Sequence, residues 1–218
     1  AEVYRIPYEC PALREDFTID PEDYKGKNGG VVIANPNAPT SISMAAFQVE
    51  EIIQANPEVV VIIDEAYVDF GAKSAVELIN QYENLLVVQT FSKSRAMAGM
   101  RIGYAMGDKR LIQALNDVKY SYNSYTMNMP AIELGVKAIE DKEYFREITE
   151  KIIDIREYSK EEFKKLGFVF GDSMANFIFV THKEYQAEEL FEYLKSKKIY
   201  VRHFKQPRIQ NYLRVTIG

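Results

Sequence analysis

The chain has 218 residues, of which 47% are hydrophobic, and its 27 Lys and Arg against 32 Asp and Glu leave a formal net charge of -5. That apolar content is enough for a substantial core, in one large domain or a domain with a smaller companion, and the acidic balance argues against a general surface for nucleic acid. A single cysteine, Cys10, excludes an internal disulfide framework, and no apolar run approaches the roughly 20 residues that cross a bilayer, so the expectation is a cytoplasmic protein without a membrane or nucleic-acid partner.

The opening AEVYRIPYEC lacks a Met and reads as the middle of a longer chain, so N-terminal sequence is expected to be missing. From residue 31 short β-branched runs alternate with amphipathic segments: VVIAN, a helix near 44–55, VVVIID, a helix near 74–83, and NLLVVQT. Continuous apolar strands separated by helices predict an α/β fold with a mostly parallel sheet covered by helices on both faces. A short YAMG strand, a helix from about 109 and another over 130–140 follow, and a long periodic segment over 142–166 stops at Gly167, where a C-cap glycine belongs. Beyond it FVFG, NFIFVT, a helix near 186–197, IYVRHF and YLRVTIG predict a smaller C-terminal α+β unit. The expected division is 1–145 for part of a larger α/β domain and 146–218 for the smaller one.

Ligands of parallel α/β sheets collect at the carboxyl ends of the strands, so the residues after each apolar run carry the functional expectation. After VVIA comes NPNAPT (35–40), after VVVII comes DEAYVDF (64–70), and after NLLVVQ comes TFSK, ending at Lys93. Taken singly, NPNAPT is a plain turn, Asp64 a helix N-cap and Lys93 a solvated lysine. Together they put amides, a carboxylate and an amine at one crevice.

A rival of another class uses Asp64 and Glu65 to hold Mg²⁺ beside a nucleotide. The G-x-x-x-x-G-K-[ST] loop that should accompany them is absent, since Gly26 and Lys27 precede Asn28 and Pro21 stands where the first glycine belongs; nor does that chemistry employ Lys93 and Arg101. His182 and His203 lack ligand spacing, and Cys10, with no histidine near it, reads as a small buried residue.

One chemistry employs all three strand ends. Pyridoxal phosphate needs a lysine amine for a Schiff base, a carboxylate to keep its ring nitrogen protonated, and an anion site for its phosphate. Lys93 supplies the first and Asp64 the second. The hydroxyls of Thr90 and Ser92 with the guanidinium of Arg101 supply the third.

TFSKSRAMAGMRIG, DEAYVDF and NPNAPT resemble the lysine, aspartate and Asn-Pro signatures of fold-type I aminotransferases, and with SMANFIFV and YLRVTIG they most resemble the histidinol-phosphate aminotransferases. The resemblance runs from about Pro7 to Gly218. It implies transfer of an amino group between histidinol phosphate and 2-oxoglutarate or glutamate in histidine synthesis, with pyridoxal phosphate as cofactor and a homodimer as the working unit. On the same scaffold it leaves open an aromatic aminotransferase or a phospho-amino-acid decarboxylase. It implies that Lys93 bonds the cofactor, that Asp64 meets its ring nitrogen, and that the Tyr67 phenol meets its ring oxygen. Thr90, Ser92 and Arg101 are implied as phosphate contacts, with Arg214 holding a substrate carboxylate and Arg202 facing the substrate phosphate. Two positions depart from the pattern. Ala38 stands where the family has Asn, leaving Asn37 as the candidate for a second contact to the ring oxygen, and Ser41 stands where it has Gly.

Overall fold

A computed structural model describes residues 2–218. Val31–Ala34 (β1), Val61–Asp64 (β2), Leu85–Thr90 (β3) and Gly103–Gly107 (β4) form one sheet in the order β1-β2-β3-β4. β1, β2 and β3 run parallel, and β4 closes the edge antiparallel to β3. The mostly parallel sheet matches the expectation.

Side chains alternate along each strand, so Val31, Ile33, Val61, Ile63, Leu85 and Val87 share one face. All six are buried, under helix α1 (Ala46–Ala55), which contributes Val49, Ile52 and Ile53 to the same core. Burying each such side chain stabilises by about 1.5–3 kcal/mol, which is what holds α1 to the sheet. Cover on the second face is less complete than expected: Leu86 is buried, but Ile62 is half-buried and Val32 is 69% exposed.

The helix expected over 74–83 is a single 3-10 turn, Ala75–Leu78. Its start is fixed from below, because the Glu65 carboxylate takes the Ser74 hydroxyl and the Ala75 N–H, both at 2.6 Å. Its exit is fixed too: Asn84 Nδ2 donates to the Asn56 carbonyl at 2.8 Å and leads the chain into β3. A Cys10 packed in the core was also expected, yet it is exposed, in a segment over 2–10 whose residues are all exposed.

Helices α2 (Lys109–Tyr122), α3 (Met129–Glu140) and α4 (Lys142–Lys165) follow. α4 starts on the Asp141 carboxylate, which accepts the Tyr144 N–H at 3.1 Å, and it ends at Gly167, φ +84°, whose N–H donates to the Lys164 carbonyl at 3.0 Å. A Cβ at Gly167 would sit 2.9 Å from His182 Nε2, so the close approach as well as the left-handed backbone calls for glycine. Phe168–Phe170 (β5), Phe177–His182 (β6), Arg202–His203 (β7) and Leu213–Thr216 (β8) make a second, wholly antiparallel sheet in the order β5-β6-β8-β7. Leu190, Phe191 and Leu194 of helix α5 (Ala187–Ser196), with Ile152 and Phe163 of α4, pack on the Ile178, Val180 and Leu213 face of that sheet. The 145/146 boundary drawn from the sequence falls inside α4.

Candidate active site

Register places the three strand ends side by side. Ala34 pairs with Asp64, and Asp64 with Val88. NPNAPT, DEAYVDF and TFSK therefore lie at the same end of the sheet, with β3 running two residues further, to Thr90.

At the end of β2 two adjacent carboxylates have opposite environments. Asp64 is exposed and uses Oδ1 to accept the Ala66 N–H at 3.1 Å. Glu65 is 1% exposed, and besides Ser74 and Ala75 its carboxylate accepts Gln89 Nε2 at 2.7 Å. Burial pushes the Glu65 carboxyl above the ordinary carboxylate range, against the lowering effect of these three donors. Gln89 is itself oriented by the hydroxyl of Tyr104, its cross-strand partner, which donates to Oε1 at 2.5 Å. Glu65 is thus committed to holding the turn below the site. A metal role would require breaking those bonds, which removes the structural basis of the Mg²⁺ reading.

The loop after β3 holds the amine. Lys93 is half-buried, with Nζ 5.3 Å from the centroid of the Tyr67 ring, within reach of a cation–π attraction. Its neighbour Ser94 is buried and donates its hydroxyl to Asp69 at 2.5 Å, tying the lysine loop to DEAYVDF. On the other side Thr90 Oγ1 lies 2.9 Å from Ser92 Oγ and 3.1 Å from the Ile102 carbonyl. When Thr90 donates its proton to Ser92 Oγ, the Ser92 hydroxyl keeps its own proton for an anion. Thr90 pairs with Gly103, which brings the backbone of Arg101 beside this pair; the Arg101 guanidinium donates to the Ala98 carbonyl at 2.9 Å.

In NPNAPT, Asn35 is a structural residue: buried, its Oδ1 accepts the Met44 N–H at 2.8 Å and the Ser43 hydroxyl at 3.0 Å. Asn37 is half-buried and its Oδ1 accepts the Thr40 hydroxyl at 2.8 Å, which fixes the amide with its nitrogen free to donate to a ligand. Ala38 is exposed. Ser41 has φ +66°, so the turn keeps a backbone conformation that favours glycine although the residue has changed.

The second sheet supplies the opposite wall. Phe177 meets Tyr67 edge-on, ring centroids 5.1 Å apart, and Arg214 lies over the Phe177 ring at 5.0 Å. Arg214 Nε is buried without a hydrogen-bond partner, the one such side-chain atom among the described residues. Arg202 is directly opposite Arg214 in the ladder between β7 and β8, so both side chains leave the same face. Arg202 also lies over Phe204, at 5.7 Å. Lys93, Tyr67, Phe177 and Arg214 thus form a continuous line from the amine to the orphaned guanidinium. Phe177 was not singled out from the sequence, because one aromatic in the run NFIFV looks like core until its partner across the crevice is known.

His182 and His203 are absorbed locally. His182 Nε2 lies 3.0 Å from the Leu166 carbonyl, and His203 Nε2 lies 2.7 Å from that of Gln210. No helix is long and apolar enough to cross a membrane, and no cluster of three or more His, Cys, Asp or Glu suited to a metal ion occurs, among the described residues.

Known proteins resemble this chain in sequence and in fold. Over all 218 residues the chain is 49% identical to a histidinol-phosphate aminotransferase of Clostridium botulinum (strain Okra / Type B1), and it spans 62% of that protein's length. The crystal structure of the histidinol-phosphate aminotransferase from Clostridium acetobutylicum superposes with a TM-score of 0.86 at 27% identity, over 94% of this chain and 65% of that one. The Sinorhizobium meliloti histidinol-phosphate aminotransferase, solved in complex with pyridoxal-5'-phosphate, superposes with a TM-score of 0.78 at 26% identity, over 87% of this chain and 52% of that one. The sequence pattern of aminotransferase class I and II matches residues 1–218, and the chain belongs to that family.

Proposed function

We propose that the protein to which this chain belongs is a pyridoxal-phosphate-dependent aminotransferase that exchanges an amino group between histidinol phosphate and 2-oxoglutarate. The observation that carries this is the line from Lys93 through Tyr67 and Phe177 to the unpartnered Arg214 Nε: an amine and an anion-reading guanidinium on two sides of one aromatic wall.

The residues fit the cofactor. Lys93 offers the amine, Asp64 a carboxylate with one oxygen free of local bonds, Ser92 a hydroxyl, and Arg101 a guanidinium on the segment whose backbone runs beside the Thr90–Ser92 pair. Pyridoxal phosphate, when bound, supplies a carbonyl that captures amines and a ring that draws electrons from the carbon bearing the nitrogen. Lys93 holds that group and moves a proton at the substrate α-carbon. Asp64 holds a proton at the ring nitrogen. Tyr67 orients the ring oxygen, with the amide nitrogen of Asn37 as second donor. Thr90, Ser92 and Arg101 bind the cofactor phosphate.

Arg202 and Arg214 share the distal anion. Histidinol phosphate carries a phosphate and no carboxylate, whereas glutamate carries two carboxylates, so one pocket must accept either anion in turn, and the guanidinium fork fits both. In this scheme residues 1–145 belong to the larger, cofactor-holding unit and 146–218 to a smaller one that carries the arginines. The working unit is a cytoplasmic homodimer.

Full-length protein loaded with pyridoxal phosphate and reduced with borohydride should carry the label on the peptide containing Lys93. A label confined to another lysine would refute the assignment.

A further inference from the structure

The crevice has one wall on each sheet, so its width depends on whatever fixes the first sheet to the second. Arg156, on α4, is 3% exposed, and its Nη1 donates to the Phe70 carbonyl at 2.7 Å and to the Ala175 carbonyl at 3.1 Å. Phe70 closes DEAYVDF, three residues after Tyr67. Ala175 precedes β6, two residues before Phe177. A single nitrogen therefore pins the backbone carrying Tyr67 to the backbone carrying Phe177, the two rings that meet at 5.1 Å.

The guanidinium is itself braced. Arg156 Nε donates to Glu157 at 2.9 Å, and Lys160 Nζ reaches both Glu157 and Asp172 at 2.7 Å, which anchors the 172–175 segment to the same helix. Gly71, at φ +112°, lies against this group: a Cβ there would stand 3.7 Å from Arg156 Nη2. None of these groups hydrogen-bonds to Lys93, Tyr67, Phe177 or Arg214, so the Arg156 group acts on the two walls through their backbone.

We infer that Arg156 is a positioning residue that couples the amine side of the site to the anion side, holding Phe177 and hence Arg214 at the distance from Tyr67 and Lys93 that the substrate must bridge. This rests on the aminotransferase function proposed above. Lys93, Tyr67 and the Ser94–Asp69 tie all belong to the first sheet and its loops, so loosening Arg156 leaves amine and cofactor contacts in place while the anion side shifts.

The test uses full-length holoenzyme and inorganic phosphate as probe. Arg156→Lys keeps the charge but loses the planar fork, and it should weaken phosphate binding by calorimetry about tenfold, the scale of one charged hydrogen bond. KM for the phosphorylated amine should rise with it, while kcat and the cofactor's dissociation constant change less. Asn84→Ala removes a donor to the Asn56 carbonyl at the far end of β3, away from both walls, so it should lower the melting temperature and leave phosphate affinity unchanged. If both variants lose phosphate affinity in proportion to lost stability, Arg156 is only a structural brace and the inference fails. A measurement on the wild type covers the case in which Arg156→Lys does not fold. Phosphate should slow hydrogen exchange at 66–70 as well as at 175–178; protection confined to the second sheet would overturn the coupling. Phosphate binding by the wild type that Arg156→Lys leaves intact would overturn this inference alone, whereas a wild type that binds no phosphate would overturn the proposed function as well.

Discussion

Arg202 and Arg214 face each other across the β7–β8 ladder, and among the described residues neither has a carboxylate within ion-pair distance. Like charges directly opposite in an antiparallel pair repel, and an anion between them turns that repulsion into binding. Arg202→Ala should therefore lower kcat/KM for histidinol phosphate more than for an unphosphorylated aromatic amine or amino acid, by about 2 kcal/mol. Steady-state assays with both substrates decide it. Equal losses would make Arg202 an ordinary solvated surface arginine and put an aromatic aminotransferase ahead.

Asp64 and Glu65 are neighbours in sequence with separate roles, one open at the strand end and the other locked beneath it. Asp64→Asn should retain most of the cofactor, read by absorbance, yet lose turnover by roughly 10²–10³-fold, the scale of one preorganised charge at the reacting group. Activity that vanishes on treating the wild type with a chelator would contradict this division.

Lys93→Ala should bind pyridoxal phosphate reversibly and without covalent capture. After borohydride treatment, mass spectrometry should find the chain unlabelled, and single-turnover proton exchange at the substrate α-carbon should drop by about 10²–10⁴-fold, the range for a lost general base. Exchange at the wild-type rate would take Lys93 out of the chemistry.

Glu65 gives the fold a pH signature. Its carboxyl lies above the ordinary value of 4.5 in the folded chain, so between the two values the folded state binds more protons than the unfolded one. Stability from this group is then fully present below about pH 4.5 and is lost as pH rises through the folded value. Urea denaturation from pH 4.5 to 7 should show wild type losing ground to Glu65→Gln as pH increases. A wild-type advantage that grows with pH would mean that the hydrogen bonds from Ser74, Ala75 and Gln89 outweigh desolvation.

The strand ends were legible because VVIA, VVVII and LLVV are apolar without interruption and each stops at a polar group, so a parallel register delivers the segments that follow them to the same end of the sheet. The pairing of Arg202 with Arg214 was legible in the same way, from two β-rich runs flanking KQPRIQN. Less could be read where a long-range polar contact overrides local preference. SAVELINQYE has the composition of a helix, but Glu65, ten residues before Ala75, captures its first turn. The Phe177–Tyr67 contact and the Arg156–Phe70 half of the bridge join residues at least 86 positions apart, which no local pattern encodes.

α4 also has a mechanical consequence. Its 24 residues make a rod about 36 Å long, and Arg156 divides it into unequal arms of about 21 Å toward Lys142 and about 14 Å toward Lys165. If the rod tilts by about 5° around Arg156, simple lever geometry at 1.5 Å per residue moves the Lys142 end by about 2 Å and the Lys165 end by about 1 Å. The same sideways push therefore turns the rod about Arg156 with more torque at the α3–α4 corner than at the Lys165 end.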